Sequence, residues 1–210
     1  MDVTYSKRSL IPAGVATTDD WAAKRVLAGN QWVSSGDVNR VIFFSDEKIF
    51  AATDGERNVW CFSGQEAPLY RKQRWTARLH VWGVIGVGSE VYQVAISGAL
   101  AFVKSKGLFM QDGATCHTSK STREYLSTKG VPVLTPWPAN SPDLNPVENM
   151  WSIVAREVEK AMPIATKDEL WGVVLAAWDG VPQQQVDKLV KSFPHRVKTL
   201  LAKKGMKVQK

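Results

Sequence analysis

Two apolar runs that each end in an aspartate constrain the fold of this chain more than any other feature. The run "VIFFSD" (41–46) is apolar through Phe44 and ends at Asp46, and "GLFMQD" (107–112) is apolar through Met110 and ends at Asp112. Runs without apolar–polar alternation are typical of strands covered on both faces, in the middle of a sheet. Because open α/β sheets bind ligands at one rim, we expect Asp46 and Asp112 to meet there.

The remaining pattern predicts an α/β domain with a mixed sheet. Further strand-like runs lie at 58–62, 79–86, 91–96 and 131–134, and helical patterns lie at 17–29, 147–158, 166–180, 183–193 and 196–205. Gly29 and Gly180 are expected to end their helices, and Thr166 with Glu169 forms a capping box. We divide the chain into an N-terminal linker and helix (1–38), a catalytic core (39–160) and a helical basic tail (161–210).

The stretch "WPANSPDLNPVENMW" (137–151) combines a proline-rich loop with the start of an amphipathic helix. Asn145 suits the N-cap, Pro146 the first helical position, and Glu148 the third residue after the cap. Capping alone could therefore explain Glu148. It does not explain why the loop is so restricted over many residues, which favours a second purpose, that of aiming the Glu148 carboxylate.

Three carboxylates at one rim would repel each other unless a cation lay among them. Hard oxygen ligands with open positions suit Mg²⁺. The residues alone therefore predict a divalent metal site formed by Asp46, Asp112 and Glu148.

The segments "FSDEKIF", "QDGATCHTS" and "WPANSPDLNPVENMW", in this order, resemble the signature motifs of DDE transposases of the mariner superfamily, in the branch whose third acid is glutamate. The resemblance implies a ribonuclease H-like fold with a five-stranded mixed sheet and helices on both sides. It also implies that Asp46, Asp112 and Glu148 are catalytic and hold two Mg²⁺ or Mn²⁺ ions. The implied reaction is DNA strand cleavage and strand transfer, with duplex transposon ends and target DNA as partners, and a homodimer is left open.

Four neighbouring residues have open roles. His117 matches a histidine of the family motif and is a candidate phosphate contact, although a packing or capping histidine would look the same. Asp143 also matches the motif, but we interpret it as an Asx-type loop organiser. Glu47 and Lys48 should alternate along the strand, so that one lies near the site and the other points away.

Basic residues indicate contact with DNA. The net charge is +7, and the segment 188–210 contains eight Lys or Arg residues and no acid. The run "YRKQRW" places basic residues between aromatics, which can neutralise phosphates and stack on bases. A solvated tail and loop would show the same pattern. The candidate DNA contacts are His117, Arg71, Lys72, Arg74, Trp75, Arg196, Lys198, Lys203 and Lys204.

Several classes of protein are disfavoured. Cys61 and Cys116 are too few for a disulfide framework and form no zinc-site spacing with the three histidines. No apolar run is long enough to span a membrane, and the N-terminus lacks the apolar core of a signal peptide. We expect an intracellular protein, nuclear if its source is eukaryotic, with no membrane partner and no small-molecule substrate.

Two departures from the family leave the function open. The chain begins only one helix before its first strand, so we expect that it lacks the family's helix-turn-helix DNA reader. Only 65 residues separate Asp46 from Asp112, fewer than is usual, whereas the 35 residues between Asp112 and Glu148 fit the branch. The alternatives are a truncated or domesticated relic that binds DNA without catalysis, and an unrelated ribonuclease H-like nuclease.

The shortened interval falls in the connection "SGALAFVKSK" (97–106). Parallel crossovers usually need a dozen or more residues. We therefore expect a shortened or displaced third strand, partial exposure of one sheet face around Val84 and Val94, and a protein that aggregates and has little activity.

Overall fold

The computed structural model describes residues 18–53, 75–88 and 107–208. Its helices and strands in chain order are α1 (Thr18–Ser34), a 3₁₀ helix (Asp37–Asn39), β1 (Ile42–Thr53), β2 (Trp75–Ile85), β3 (Leu108–Met110), α2 (Thr115–Thr118), α3 (Lys120–Thr128), α4 (Val147–Lys160), α5 (Lys167–Asp179), α6 (Gln183–Lys191) and α7 (Phe193–Ala202).

The described strands form a mixed sheet in the order β2-β1-β3. β1 pairs antiparallel with β2 and parallel with β3. A further parallel bridge joins Phe109 of β3 to Val133, in the run that we predicted as a strand at 131–134. The two aspartate-ending runs are therefore adjacent central strands, as predicted. The prediction that the first strand ends at Asp46 is wrong: β1 continues to Thr53, because β2 pairs with it from Phe44 to Thr53.

Both faces of these central strands are covered, as the lack of alternation predicts. Phe44 and Met110 belong to the main hydrophobic core, whereas Phe43 and Phe109 belong to a second cluster on the opposite face. Leu126 of α3, Val131 and Val84 complete the second cluster. The expected exposure around Val84 is wrong, because Val84 is 4% exposed and packs in this cluster.

The helix that carries Glu148 packs tightly against the β1–β2 pair. Trp151 of α4 and Trp178 of α5 contact each other with ring centroids 4.8 Å apart. A Cβ atom on Gly83 of β2 would lie 2.7 Å from each of these two rings, so only glycine allows this close approach. Gly83 is the register partner of Asp46. The tight contact therefore places α4 directly beside the strand that carries the first acid.

The flanking helices join the same core. Trp32 of α1 is fully buried and packs against Phe193 of α7, with ring centroids 5.5 Å apart. This packing carries α1 on to Ser34, so Gly29 does not end the helix as predicted. Thr166 caps α5 by accepting from the Glu169 N–H, and Gly180 follows the helix as predicted. Residues from all three predicted segments (1–38, 39–160 and 161–210) therefore contribute to one hydrophobic core. The boundaries between these segments remain a prediction.

Several predictions fall outside the described residues. These are the runs at 58–62 and 91–96, Val94, and the connection 97–106. Within the described ranges the sheet has three strands rather than five. No helix in these ranges combines the length and apolar character needed to cross a membrane.

Candidate active site

The three predicted acids line one cavity at the rim of the sheet. Asp46 lies on β1, Asp112 lies two residues after β3, and Glu148 lies in the first turn of α4. The cavity has a volume of about 350 Å³, and the motif loop (residues 137–146) forms much of its remaining wall. We call it the acid cavity. The fold thus brings together three carboxylates from distant parts of the sequence.

Burial and neighbouring negative charges perturb the pKa of Asp46. Burial, followed by the charge of Glu148, raises the pKa of Asp46 from its ordinary value of 3.8 to about 6. Glu47 and Asp112 add smaller contributions in the same direction, against a backbone hydrogen bond that lowers the pKa. A carboxylate destabilised in this way would gain from a nearby positive charge.

Asp112 lies in a loop that is ordered by its own carboxylate. Its Oδ1 accepts a hydrogen bond of 2.9 Å from the Ala114 N–H. The Gln111 side chain donates to the carbonyl oxygen of His117, which holds α2 against the end of β3. Ser45 Oγ donates to the Met110 carbonyl at 2.8 Å and links the residues that precede the two aspartates.

His117 connects the first two acidic segments. Its Nε2 lies 2.9 Å from Glu47 Oε1 and 3.6 Å from Asp112 Oδ1, and its side chain is 13% exposed. The hydrogen bond to Glu47 raises the pKa of His117 above its ordinary value, against the opposing effect of burial. Of Glu47 and Lys48, it is therefore Glu47 that contacts His117 beside Asp112, although neither residue lines the acid cavity.

The acid cavity has the donor chemistry of a hard-cation site but not a closed cluster. Within the described ranges, no three His, Cys, Asp or Glu side chains are close enough to hold one ion as they stand. The carboxylates share a cavity without enclosing a common point. Their oxygen donors and the raised pKa of Asp46 fit a divalent cation better than a neutral or anionic ligand.

A family model described as DDE superfamily endonuclease matches residues 41–171, which is more than half of the chain. The chain belongs to this family. It is similar to the transposable element Tc3 transposase of Caenorhabditis elegans, with 31% identity over 223 residues that cover 95% of this chain and 66% of that protein. The chain therefore spans slightly less than two thirds of that relative. The resemblance to mariner-superfamily transposases is confirmed at the level of the family.

Solved structures show the same fold. The Mos1 mariner paired end complex with Mn aligns with a TM-score of 0.69 at 18% identity, covering 99% of this chain and 68% of that one. The Mos1 transposase catalytic domain with Raltegravir and Mg aligns at 0.62 and 16% identity, covering 92% and 100%. The expected ribonuclease H-like α/β class is confirmed by this likeness, whereas the fourth and fifth strands remain a prediction.

The motif loop of this DDE-family domain is tied to β1 through Asn145. The Asn145 side chain donates to the Ser45 carbonyl at 3.1 Å and accepts from the Val147 N–H at 3.2 Å. The N-cap of α4 is Pro146, not Asn145 as predicted, and the helix begins at Val147, one residue later than predicted; Asn145 lies just before the cap and accepts from the first helical N–H. Because Ser45 precedes Asp46, one side chain sets both the start of α4 and its distance from the first acid.

Asp143 organises the motif loop, but its carboxylate bonds partners that are distant in sequence rather than the nearby backbone of the Asx-type turn that we predicted. Arg25 of α1 donates to both carboxylate oxygens, at 2.8 and 2.6 Å, and also to Ser141 Oγ. The Val208 N–H donates to Asp143 Oδ2 at 2.7 Å, and Arg196 donates to the Asp143 carbonyl. We call these residues (Arg25, Ser141, Asp143, Arg196 and Val208) the Asp143 cluster. Burial would raise the pKa of Asp143, but the hydrogen bonds from Arg25 and Val208 and the charge of Arg25 hold it below its ordinary value.

The candidate DNA contacts are distributed unevenly. Lys198, Lys203 and Lys204 are exposed. Arg196 is 8% exposed, and its guanidinium donates to Ser192, Asp143 and Asn149, so it faces the interior instead of solvent. Arg71, Lys72 and Arg74 lie outside the described residues, and only the backbone of Trp75 is described, at the start of β2.

A second cavity adjoins the acid cavity and contains a basic residue that the sequence analysis missed. It has a volume of about 410 Å³, and Asp112, Gly113 and Trp137 line both cavities. Arg123 of α3 and His117 line the second cavity beside Asp112. Arg123 lies in the polar run "KSTRE", which had no sequence signal that distinguished it from a solvated helix face.

Proposed function

We propose that this domain cleaves DNA strands and transfers the new ends, in a reaction that depends on a divalent metal. The observation that carries the proposal is the convergence of Asp46, Asp112 and Glu148 on one cavity, with the pKa of Asp46 raised to about 6 by burial and by the charge of Glu148. Membership of the DDE superfamily endonucleases supports this reaction class.

In this proposal Asp46, Asp112 and Glu148 hold the metal, as Mg²⁺ or Mn²⁺. When bound, a pair of such ions supplies activation of an oxygen nucleophile and charge neutralisation at the scissile phosphate. Solved structures of Mos1 contain Mg or Mn, which supports this choice of cation. The number of two ions remains part of the proposal.

The protein's own groups contribute mainly by positioning. The Asn145–Ser45 hydrogen bond sets the distance between α4 and β1. The Ala114 N–H orients the Asp112 carboxylate. His117 lies between Glu47 and Asp112, where a phosphate oxygen beside the metal could accept its N–H in place of the Glu47 carboxylate.

DNA binding in this proposal comes from phosphate neutralisation by exposed basic residues. Lys198, Lys203 and Lys204 are exposed near the end of the chain, and Arg123 lies beside Asp112. Such contacts position DNA without reading its sequence. The solved Mos1 transposase paired-end complex with left transposon end supports transposon ends as one DNA partner.

A nicking assay on supercoiled plasmid, with Mg²⁺ or Mn²⁺, tests the proposal. Wild-type protein should nick in a metal-dependent manner, and Asp112→Ala should abolish nicking. Glu159→Gln is the matched control, because Glu159 is exposed near the far end of α4 from Glu148. If wild-type protein binds plasmid but fails to nick it with either metal, the enzyme hypothesis is rejected in favour of a relic that binds DNA without catalysis.

A further inference from the structure

The Asp143 cluster has no part in the chemistry proposed above. Asp143 and Arg25 do not line the acid cavity, whereas Ser141 of the cluster does, and Arg25 is fully buried. Replacing a buried ion pair with apolar side chains is often neutral or stabilising. Stability alone is therefore a weak reason for an Arg–Asp pair with side-chain exposures of 0% and 6%.

The hydrogen bonds of this cluster lead to Glu148 in two steps. Arg25 holds the Asp143 carboxylate with two hydrogen bonds, which fixes the loop before the cap. Arg196 then spans the cap, because one guanidinium nitrogen donates to the Asp143 carbonyl at 2.9 Å and the other to Asn149 Oδ1 at 2.7 Å. Asn149 is the neighbour of Glu148. The segment that carries Glu148 is thus held on both sides.

The donors to Asp143 come from opposite ends of the described chain. Arg25 belongs to α1, and the Val208 N–H lies six residues after the end of α7. Gly205, between the end of α7 and Val208, packs against α1 and has a φ of +87°. A Cβ atom at this position would collide with the Ala22 carbonyl oxygen. Trp21 adds a second link from α1, since its Nε1 donates to the Ala139 carbonyl at 3.1 Å and its ring lies 4.6 Å from the Arg25 guanidinium.

We propose that Arg25 is a positioning residue for Glu148, acting through Asp143, and that metal affinity at the acid cavity depends on this contact. The proposal rests on the proposed function in that Glu148 is taken as a metal ligand. Partners of metal ligands typically change affinity about 10–100-fold when they are removed. Arg25 itself contacts no proposed metal ligand and is linked to the neighbour of Glu148 through Asp143 and Arg196, so we expect the lower end of this range.

Three variants separate positioning from stability. Arg25→Met leaves Asp143 without its charged partner in a buried place and should destabilise the fold. The double variant Arg25→Met/Asp143→Leu replaces the pair with apolar side chains and should recover much of that stability. Arg25→Lys keeps the charge but lacks the planar fork that binds both oxygens. Val186→Ala, a buried substitution in α6 outside the cluster, is the control for general destabilisation.

Two readouts apply to each variant. The first is hydrogen exchange of the metal-free protein at the Glu148 and Asn149 amides, which donate to the carbonyls of Asn145 and Pro146. The second is the Kd for Mn²⁺ alone. We expect faster exchange and a Kd raised about 10-fold or more in the Met variant and in the double variant, with a smaller effect in Arg25→Lys. Val186→Ala should leave both readouts at the wild-type values.

A double variant that keeps wild-type exchange at Glu148 and the wild-type Kd would overturn the proposal. Faster exchange with an unchanged Kd would also overturn it, because the loop would then be ordered for stability alone. If wild-type protein shows no Mn²⁺ binding that depends on Asp46, it is the proposed function that fails. In that event, hydrogen exchange at the Glu148 amide still decides whether Arg25 positions Glu148. An exchange rate in Arg25→Met equal to that of wild-type protein would reject this positioning role.

Discussion

Replacing Asp46 by asparagine should stabilise the metal-free protein at neutral pH. The pKa of Asp46 is raised from 3.8 to about 6, chiefly by burial and then by the charge of Glu148. The folded state therefore binds the proton more tightly than the unfolded state. The stability that this group contributes is fully present below pH 3.8 and is lost as the pH rises through about 6. Asparagine does not ionise, so Asp46→Asn should escape the loss.

The magnitude follows from the shift. A change from 3.8 to about 6 corresponds to roughly 3 kcal/mol. Because Asp46 is only partly buried, screening by solvent reduces the expected effect to about 1–2 kcal/mol. For a chain of this length, that is an increase in Tm of about 2–8 °C. The gain should be near zero at about pH 4 and complete by about pH 8.

Thermal and urea unfolding of the two proteins between pH 4 and pH 8, without metal, would measure this gain. Glu159→Gln again serves as the control for a simple loss of one negative charge, since Glu159 is exposed on the same helix as Glu148. Addition of Mn²⁺ gives the second arm. Saturation at about 100 times the Kd should add about 2.7 kcal/mol to wild-type protein and clearly less to Asp46→Asn.

Two results would refute the reasoning. A stability difference between Asp46→Asn and wild type that is the same at pH 4 and pH 8 would show that Asp46 is not electrostatically strained. An equal response to Mn²⁺ in both proteins would show that Asp46 does not bind the metal.

Three other predictions follow. His117→Gln should destabilise the protein below pH 6.5 and have little effect above the folded-state pKa of His117. The hydrogen bond to Glu47 is the main cause that raises this pKa, so the stability that protonated His117 gives to the fold is lost as the pH rises through it. Urea midpoints at pH 5.5 and 8.5 would measure this difference. Replacing Lys198, Lys203, Lys204 and Lys207 by glutamine should reduce the salt dependence of duplex binding, measured by fluorescence anisotropy, by up to about 0.9 in slope per lost phosphate contact; an unchanged slope would mean that these lysines are only solvated. Gly83→Ala should lower the free energy of unfolding in urea by about 1–3 kcal/mol, because the added methyl group meets two tryptophan rings. Gly172→Ala is the control, since a Cβ atom there meets no neighbour and should not destabilise the protein.

The acids were predictable from the sequence because their signals are local. Asp46 and Asp112 each follow a continuous apolar run, and Glu148 follows a proline-rich loop and precedes an amphipathic stripe. These signals located Asp112 just after β3 and Glu148 in the first turn of α4, but they failed for the end of β1, which continues past Asp46 to Thr53. The same information predicted that the central strands are covered on both faces, which the two hydrophobic clusters confirm.

The support of the motif loop was not predictable from the same signals. Arg25 lies 118 residues from Asp143, and an arginine in a helix with lysine and aspartate neighbours looks solvated. Val208 lies in a lysine-rich segment that reads as a free tail, yet its N–H is committed to Asp143. Gly29 failed as a helix end because packing of Trp32 in the core outweighs the local preference of glycine. In each case the deciding contact is distant in sequence.

The stacking of Trp137 on Trp32 provides a spectroscopic probe of the motif loop. The two indole rings lie 5.4 Å apart at an angle of 28°, one at the first residue of the loop and the other on α1. Indoles at this distance interact electronically and contribute to near-ultraviolet circular dichroism, and this contribution changes when the rings separate, on top of the signal of the Trp151–Trp178 pair on α4 and α5. Loosening of the loop from α1 should therefore be visible without any label, on the same samples and at the same time as loss of helix is followed at shorter wavelengths.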